Sequence, residues 1–202
     1  MFDENIWGVV LAGGQSKRMG GPDKALLTLN GVSFVERTTN ILMQQVRDVL
    51  INTNASAADF SFVGRTIRAD SVPGWVGPLA GILTGLEWAK EKGGAWVASA
   101  AVDTPFLPPD FVCQLLKAAQ FKKADAAIAS SRGRIHPVCG LWSVSLLESL
   151  RESVAEKGTR RVQDWVESLN YVTVEWPVGG QDPFINVNTP TELSLVRGGQ
   201  LP

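Results

Sequence analysis

A glycine-rich, basic segment near the start of the chain combines the residue types that bind phosphate. The segment LAGGQSKRMGGPDK runs from Leu11 to Lys24, directly after the apolar run from Ile6 to Leu11. Glycines allow positive φ and a close approach of backbone N–H groups to a ligand, and Lys17, Arg18 and Lys24 add positive charge. This combination suits a polyphosphate, whereas the alternative is an ordinary strand-to-helix turn with a solvated basic rim.

The glycine spacing differs from the two most familiar phosphate-binding motifs. A P-loop requires Gly-Lys followed by Ser or Thr, and the sequence contains no such triplet. The dinucleotide fingerprint requires GxGxxG at the start of a helix, but here the glycines form two adjacent pairs, Gly13–Gly14 and Gly20–Gly21. The glycines alone therefore do not decide between ligand binding and a simple turn.

Two aspartates that follow apolar runs are candidates for binding a nucleotide and its metal ion. Asp103, in AVDTPF, ends the most continuously apolar run of the chain. Mg²⁺ is typically held by one or two carboxylates together with substrate oxygens, and such an ion would stabilise a carboxylate at this border. The alternative for Asp103 is a cap on the turn at Thr104 and Pro105, and Asp70 is equally typical of a turn. The position after a strand favours the metal role for Asp103.

The segment PGWVGPLAGI, from Pro73 to Ile82, is a candidate for contacting a flat base. Its glycines allow the backbone to approach a ligand, and N–H and carbonyl groups at a helix N-terminus can hydrogen-bond to a base edge. Gly77, Pro78 and Leu79 lie at the centre of this segment. The alternative is that the Gly-Pro pair simply begins a helix.

The second half of the chain carries polar side chains that are candidates for binding a second substrate. His136 is the only histidine, and its place before Pro137 suits a loop that meets a substrate better than a general base. Adjacent arginines are either a solvated helix face or an anion site, and the amides of INVNTPTEL either read a heterocycle or satisfy a loop. The acceptor-binding candidates are Arg134, His136, Arg160, Arg161, Asn186 and Asn188.

The elements that must position these residues are predicted from periodicity. Short apolar runs alternate with longer amphipathic ones, which is typical of strands and crossover helices in a mostly parallel α/β sheet. We predict strands at Ile6–Leu11, Val49–Asn52, Thr66–Ala69, Ala95–Val102, Ala126–Ser130, Val138–Trp142 and Tyr171–Trp176. Ligands bind beyond the carboxyl ends of such strands, where the strand order reverses, so one cleft would collect the basic segment, Asn52, Asn54, Asp70 and Asp103.

Helices are predicted between the strands from capping signals. Ser33 and Glu36 form a capping box, Gly77–Pro78 begins a second helix, and Pro108 with the two residues after it begins a third. Further helices are predicted at 145–156, at 161–169 and from Thr189.

The composition indicates one domain and excludes two classes of function. The 202 residues are 45% hydrophobic with a net charge of −1, so we expect 1–202 to form a single domain. A near-neutral chain lacks the broad basic field of nucleic-acid or membrane-surface proteins. Cys113 and Cys139 form no CxxC pair and are expected to be buried as small apolar residues. The sequence shows neither a leader pattern nor a run of ~18 apolar residues, so a cytoplasmic location is expected.

Together these segments resemble the molybdenum cofactor guanylyltransferase (MobA-type) family of nucleotidyltransferases. LAGGQSKRMGGPDKALL is similar to the N-terminal signature of that family and GPLAGI to its base-recognition segment. VDTPFLPPD resembles its metal-binding turn, IHPVCGLW its substrate-side strand and FINVNTPTEL its C-terminal motif. The resemblance implies a three-layer, Rossmann-like nucleotidyltransferase domain with a mostly parallel central sheet.

The resemblance also implies a set of site residues. Arg18, Lys24 and Asp103 would be catalytic, with Asp103 binding Mg²⁺ or, as the alternative ion, Mn²⁺. The implied GTP site consists of Leu11, Ala12, Gly13, Gly14, Lys24, Asn52, Asp70, Gly77, Pro78, Leu79 and Asp103. A sister branch that uses CTP carries LAAG in place of LAGG, so Gly13 and Gly14 favour guanine.

The implied reaction transfers GMP from GTP to Mo-molybdopterin and yields molybdopterin guanine dinucleotide and pyrophosphate. Transient contacts with cofactor-insertion proteins or apo-molybdoenzymes are expected, and contacts with nucleic acid or a membrane are not. Three alternatives stay open. They are a CTP-dependent molybdopterin cytidylyltransferase, a sugar- or polyol-phosphate nucleotidyltransferase, and a noncatalytic nucleotide-gated cofactor carrier.

Overall fold

The computed structural model has a central seven-stranded sheet between two layers of helices. It describes residues 5–13, 23–72, 74, 77–156, 158–187 and 192. The strands are β1 (Ile6–Leu11), β2 (Thr28–Leu29), β3 (Val32–Ser33), β4 (Val49–Asn52), β5 (Thr66–Arg68), β6 (Trp96–Ala101), β7 (Ala126–Ser131), β8 (Arg134–Ser143) and β9 (Tyr171–Trp176). The sheet order is β5-β4-β1-β6-β8-β7-β9, and β2 and β3 form a separate antiparallel hairpin.

The sheet is parallel except at one strand. β1 pairs in parallel with β4 and with β6, β4 with β5, and β7 with β9. β8 runs antiparallel to both of its neighbours, β6 and β7. The chain moves from β1 outward to β4 and β5, and then crosses back to β6 on the other side of β1. The strand order therefore reverses at β1, and the predicted mostly parallel α/β sheet is confirmed.

Helices cover both faces of this sheet. They are α1 (Phe34–Met43), α2 (Pro78–Glu91), α3 (Phe111–Lys122), α4 (Leu147–Ala155) and α5 (Val162–Val166). One buried apolar cluster joins α1 and α3 to one face, and a second joins α2, α4 and α5 to the other. All six residues of β1 are buried, as expected for a parallel strand covered on both faces. Among the described helices, none is long and apolar enough to cross a membrane.

The helix starts predicted at Ser33, at Gly77–Pro78 and after Pro108 are confirmed, whereas the helix predicted at 145–156 begins with a 3₁₀ turn and becomes α-helical only at Leu147, and the one predicted at 161–169 extends only over Val162–Val166. Ser33 and Glu36 form the expected capping box, in which the Glu36 N–H donates to Ser33 Oγ and the Ser33 N–H donates to Glu36 Oε2 at 3.0 Å. Gly77 precedes α2 at φ 76°, a value that favours glycine, and Pro78 is the first helical residue. The helix predicted from Thr189 lies outside the described residues.

Two sequence-based expectations need correction, and one element was not predicted. Cys113 is exposed on α3 rather than buried, because it lies on the helix face opposite Phe111 and Leu115, whereas Cys139 is buried as expected. β8 begins at Arg134, four residues before the predicted Val138. The β2–β3 hairpin was not predicted, although Asn-Gly at 30–31, with φ of 53° and 80°, is the usual signal for such a turn.

β8 also contains a bulge that interrupts its pairing with β7. Ile128 pairs with Gly140, but Ala129 pairs with His136, so residues 137–139 are extra on the β8 side. Pro137 has no N–H group to donate to a ladder, which fits its place in the bulge. Bulges re-aim side chains at the rim of a sheet, and this one lies near the edge where β6 ends.

Candidate functional site

The carboxyl ends of three strands meet around the end of β1. Leu11 pairs with Asn52 of β4 on one side and with Ala101 of β6 on the other. Neighbouring strands lie about 4.8 Å apart, so the ends of β4 and β6 are separated by about 10 Å across β1. Leu11 and Ala12 are buried, whereas Gly13 is exposed at this edge. The predicted cleft therefore has its floor at the point where the strand order reverses.

An ion pair between Lys24 and Asp103 lies at the β6 side of this edge. Lys24 Nζ is 3.0 Å from Asp103 Oδ2, and both side chains are partly exposed. Lys24 begins a short 3₁₀ turn whose N-cap is Asp23, and the Ala25 N–H donates to Asp23 Oδ1 at 3.0 Å. Asp23, for which the sequence predicted no role, thus fixes the start of the turn that carries Lys24.

The turn after β6 is closed by Thr104 rather than by Asp103. The Thr104 N–H and Oγ1 both donate to the Ala101 carbonyl oxygen, at 3.2 and 2.8 Å. The Asp103 carboxylate instead reaches across to Lys24, so the interpretation of Asp103 as a simple turn cap is not supported. One of its oxygens pairs with a cation on another loop, which is the behaviour of a side chain directed to the cleft.

A second polar cluster lies at the ends of β4 and β5. Asn52 is buried and its Nδ2 donates to Asp70 Oδ1 at 3.0 Å and to the Arg68 carbonyl oxygen at 3.3 Å. Asn54 Nδ2 donates to Asp70 Oδ2 at 2.7 Å, and the Asp70 N–H donates back to Asn54 Oδ1 at 2.9 Å. The structure thus brings together Asn52, Asn54 and Asp70, which lie apart in the sequence.

The start of α2 is pressed against this cluster. A β-carbon on Gly81 would collide with Asn52 Oδ1 and would lie 2.5 Å from Leu11 Cδ2. Only a glycine permits that approach. Gly77 and Pro78 are exposed at the N-terminus of α2, and Leu79 is buried beneath them. The backbone of the α2 N-terminus is therefore held at the same edge as Asn52.

A third cluster, on β7, β8 and the segment after β9, contains the only histidine. Ser131 Oγ lies 2.7 Å from His136 Nε2 and donates to the Asp182 carboxylate, with Oγ–oxygen distances of 2.9 and 2.8 Å. The His136 ring stacks on Phe184, with 5.0 Å between the ring centroids. Burial lowers the pKa of His136 below its ordinary value, and Asp182 opposes that effect.

The segment from Asp182 to Val187 links this third cluster to Asp103. The Phe184 N–H donates to Asp182 Oδ1 at 2.9 Å, and the Val187 N–H donates to the Asp103 carbonyl oxygen at 2.9 Å. Asn186 lies between these two anchors and is exposed, on irregular backbone rather than on a strand. Asp103 is also close to Cys139, whose pKa burial raises to about 12, so this thiol stays protonated at neutral pH.

The remaining acceptor-binding candidates are divided between two places. Arg134 is exposed at the start of β8, on the same strand as His136. Arg160 and Arg161 are exposed just before α5, and a β-carbon on Gly77 would lie 3.7 Å from the Arg160 carbonyl oxygen. The two arginines therefore lie beside the start of α2 and not on the face that carries His136 and Phe184. Their roles, like those of the other candidates, stay predictions.

Part of the predicted site lies outside the described residues. These candidates are Gly14, Lys17, Arg18, Gly20, Gly21 and Asn188. Within the described residues, no cluster of three or more His, Cys, Asp or Glu side chains forms a ready metal site.

Sequence reasoning missed Ser131 and Asp182. Ser131 ends the apolar strand AAIASS, and nothing in that run indicates a partner 51 residues further along the chain. Asp182 offers a weak signal, because Asp two residues before an N–H donor is typical of a turn, as its bond from Phe184 shows. Their contact depends on the pairing of β7 with both β8 and β9, which local patterns do not reveal.

Comparison with known proteins identifies the family. Residues 8–171 match the model of the MobA-like NTP transferase domain. The chain is 43% identical over 194 residues to the molybdenum cofactor guanylyltransferase of Mesorhizobium japonicum, an alignment that covers 94% of this chain and 93% of that protein. It is 41% identical over 189 residues to the enzyme of the same name from Nitrobacter hamburgensis, with 93% and 90% covered.

The fold agrees with that assignment. The molybdopterin-guanine dinucleotide biosynthesis protein A of Archaeoglobus fulgidus superposes with a TM-score of 0.73 at 23% identity, over 95% of this chain and 97% of that one. At this identity the likeness shows the fold, while the family rests on the closer relatives and the domain match. The chain therefore belongs to the MobA-like nucleotidyltransferase family.

Proposed function

We propose that this protein transfers GMP from GTP to the terminal phosphate of Mo-molybdopterin and releases pyrophosphate. The observation that carries the proposal is the Lys24–Asp103 ion pair at the edge of β6, between a cluster on β4 and β5 and another on β7 and β8. A cation and a carboxylate between two polar clusters are what a transfer between two phosphates requires. The names of the relatives supply the identity of the two substrates.

The nucleotide is proposed to bind over β1 and β4. Ala12, Gly13 and the start of α2 offer backbone groups, and the hydrogen-bonded cluster of buried Asn52, Asp70 and exposed Asn54 offers polar groups for a sugar or base. Gly14 and Arg18 complete the proposed phosphate grip from the basic segment. Lys24 suits a phosphate because its ammonium group is a compact charge with three donors.

The chemistry requires alignment more than proton transfer. An oxygen of the acceptor phosphate attacks the α-phosphorus of GTP, the bond from that phosphorus to the α–β bridging oxygen breaks, and pyrophosphate leaves. The attacking oxygen is already ionised at neutral pH, so no general base has to remove a proton. The chain contributes by holding the two phosphates in line and by placing Lys24 against the negative charge.

Asp103 fits the role of metal ligand. It is partly exposed, follows the last residue of β6 by two positions, and turns one carboxylate oxygen toward a cation. A single carboxylate with substrate oxygens is a usual arrangement for Mg²⁺, and Mn²⁺ accepts the same oxygen ligands. When bound, Mg²⁺ would neutralise charge on the triphosphate.

On the acceptor side, the proposed contacts come from Arg134, His136, Asn186 and, beyond the described residues, Asn188. Arg160 and Arg161 are proposed to meet the ligands from the side of α2. We also propose that the chain forms one domain, resides in the cytoplasm and makes brief contacts with apo-molybdoenzymes or cofactor-insertion proteins.

Nucleotide selectivity tests the proposal. Thermal unfolding is measured with GTP, CTP, ATP and UTP, each with and without Mg²⁺. We expect GTP with Mg²⁺ to raise the Tm by several degrees, because a ligand held at 100 times its Kd adds about 2.7 kcal/mol to the free energy of unfolding. Selective stabilisation by CTP would instead identify a cytidylyltransferase, and would overturn the choice of GTP.

A further inference from the structure

We propose that Ser131 and Asp182 are positioning residues that hold His136 as an Nε2–H imidazole against Phe184 and thereby shape the acceptor side of the cleft. This inference rests on the proposed function, because it assigns the acceptor to the cluster on β7 and β8. Neither Ser131 nor Asp182 belongs to a recognised sequence motif. The observations that carry it are a closed ring of contacts and the bulge in β8.

The ring of contacts fixes His136 from two directions. Ser131 Oγ lies 2.7 Å from His136 Nε2, and Ser131 also reaches both oxygens of Asp182, at 2.9 and 2.8 Å. Asp182 in turn accepts from the Phe184 N–H at 2.9 Å, and the Phe184 ring stacks on the imidazole at an interplanar angle of 25°. The imidazole is thus held at one nitrogen by a hydroxyl and on one face by a buried phenyl ring.

Proton counting assigns the tautomer. A serine hydroxyl has one hydrogen to donate, and an ionised carboxylate only accepts, so that hydrogen goes to Asp182. Ser131 Oγ must then accept from His136, which requires a hydrogen on Nε2. In the neutral ring the lone pair is left on Nδ1. Burial lowers the pKa of His136, which favours this neutral form at pH 7. An imidazole held in this way presents one hydrogen-bond acceptor to a ligand, and a heterocycle with ring N–H groups fits it.

The bulge in β8 determines where this ring of contacts lies. The Ala129–His136 pair lies beyond the three extra residues, 137–139, so His136 faces Phe184 on the side of the sheet that α1 and α3 cover. The same bulge brings Cys139 Sγ to 3.7 Å from Thr104 Oγ1, next to Asp103. From the other end, Val187 bonds to the Asp103 carbonyl oxygen. The histidine cluster is therefore tied on both sides to the loop that carries the proposed metal ligand.

A spectroscopic test is available because the chain has a single histidine. Protein labelled with ¹⁵N-histidine gives one pair of ring nitrogen signals. We expect a pyrrole-type Nε2 with a slowly exchanging proton and a pyridine-type Nδ1. In Ser131→Ala the Nε2 proton should exchange at least about tenfold faster, because the hydrogen bond from Nε2–H to Ser131 Oγ is lost. Ser130→Ala is the matched control, since Ser130 is a buried neighbour that points to the opposite face of β7.

Binding measurements test whether these contacts around His136 affect the binding of the acceptor. By titration calorimetry, Ser131→Ala and Asp182→Asn should each weaken molybdopterin binding by about tenfold and change GTP binding by less than about twofold. Asp182→Asn keeps the size of the side chain, so it guards against a folding defect in the alanine variant. Unchanged exchange at Nε2, or equal losses for both ligands, would overturn the inference.

The inference and the proposed function fail in different ways. If the wild-type protein binds molybdopterin in a Ser131-dependent manner but transfers no GMP, the proposed function is wrong and the positioning role stands. If transfer is normal in wild type and Ser131→Ala binds molybdopterin equally well, the positioning role is wrong and the function stands.

Discussion

The two halves of the sheet build their parts of the cleft by different means. On one side, β5, β4, β1 and β6 run parallel, and three of them carry a polar residue at or just after the carboxyl end, namely Asp70 after β5, Asn52 in β4 and Asp103 after β6. On the other side, β8 runs antiparallel and brings its amino end to the same edge, with three extra residues that redirect His136. The half with β5, β4, β1 and β6, which we propose binds the nucleotide and call the nucleotide half, therefore depends on strand ends and close helix packing. The half with β8, β7 and β9, which we propose binds the acceptor and call the acceptor half, depends on contacts between distant segments.

Each half of the sheet holds its own set of hydrogen-bonded polar side chains. Asn52, Asn54 and Asp70 form a set of hydrogen bonds within the nucleotide half, and His136, Ser131 and Asp182 form a set within the other. Lys24 and Asp103 lie between the two sets. A substitution in one half should weaken the binding of one substrate, whereas a substitution at the central pair, Lys24 and Asp103, should stop the reaction.

The largest effect is expected at the central pair. Asp103→Asn and Lys24→Met should each lower the rate of GMP transfer by about 10²- to 10³-fold, because Lys24→Met removes a cation placed against the phosphates and Asp103→Asn removes the charge of the proposed metal ligand. The measurement is steady-state pyrophosphate release with GTP and molybdopterin. Asp59→Asn and Lys117→Met are the matched controls, since both side chains are exposed and lie on other elements. Turnover near that of wild type in both central variants would contradict the assignment.

A smaller effect is expected from the packing of α2. Gly81→Ala should lower the free energy of unfolding by about 1–3 kcal/mol, because its β-carbon collides with Asn52 and crowds Leu11. The same collision displaces Asn52, so GTP binding should weaken while molybdopterin binding does not. Urea denaturation and calorimetry measure the two quantities. Gly179→Ala is the control, since a β-carbon there meets no atom within 4 Å. If both glycine variants behave alike, the close packing does not support the nucleotide half.

Asp70→Asn should separate the two halves. The amide keeps the side-chain volume but removes an acceptor from either Asn52 or Asn54, and the KM for GTP should rise by about tenfold. The KM for molybdopterin should change by less than about twofold. A rise in both KM values would show that the clusters are not independent.

The smallest effect concerns the pH dependence of stability. The pKa of His136 is lowered in the folded chain, so the unfolded chain binds the proton more tightly. Its contribution to stability is complete above the ordinary pKa of about 6.5 and is lost as the pH falls below that value. The loss should stay below about 1 kcal/mol, because the ring is only half-buried. Urea denaturation at pH 7.5 and 5.5 should show a larger decrease for wild type than for His136→Gln. Equal decreases would contradict the lowered pKa.

Much of the nucleotide half was predictable from the sequence. The bounds of β1 and β4 were predicted correctly, because each is a short apolar run with clear breaks on both sides. The positions of Asp103 and Asp70 at this edge of the sheet were predicted from the rule that ligands bind beyond the ends of parallel strands. The start of α2 was predicted from Gly77 and Pro78, because proline is favoured at the first position of a helix.

The acceptor half was less predictable. The antiparallel course of β8 and its bulge depend on the pairing between distant strands, and Val138–Trp142 alone does not reveal that the strand begins at Arg134. Ser131 and Asp182 lie 51 positions apart, so their contact has no local signal. The exposure of Cys113 shows the related limit that a single apolar residue does not report which face of its helix is buried. The roles of the acceptor candidates and the single-domain organisation stay predictions.

The most direct test of the proposed reaction follows the α-phosphate of the nucleotide. Wild-type protein is incubated with Mg²⁺, Mo-molybdopterin and GTP labelled with ³²P at the α-phosphate, and in parallel with labelled CTP. We predict that label from GTP appears in the cofactor in equal amount to the pyrophosphate released, and that label from CTP does not. Label that remains in free nucleotide, or that enters the cofactor from CTP in preference to GTP, would contradict the proposed guanylyl transfer.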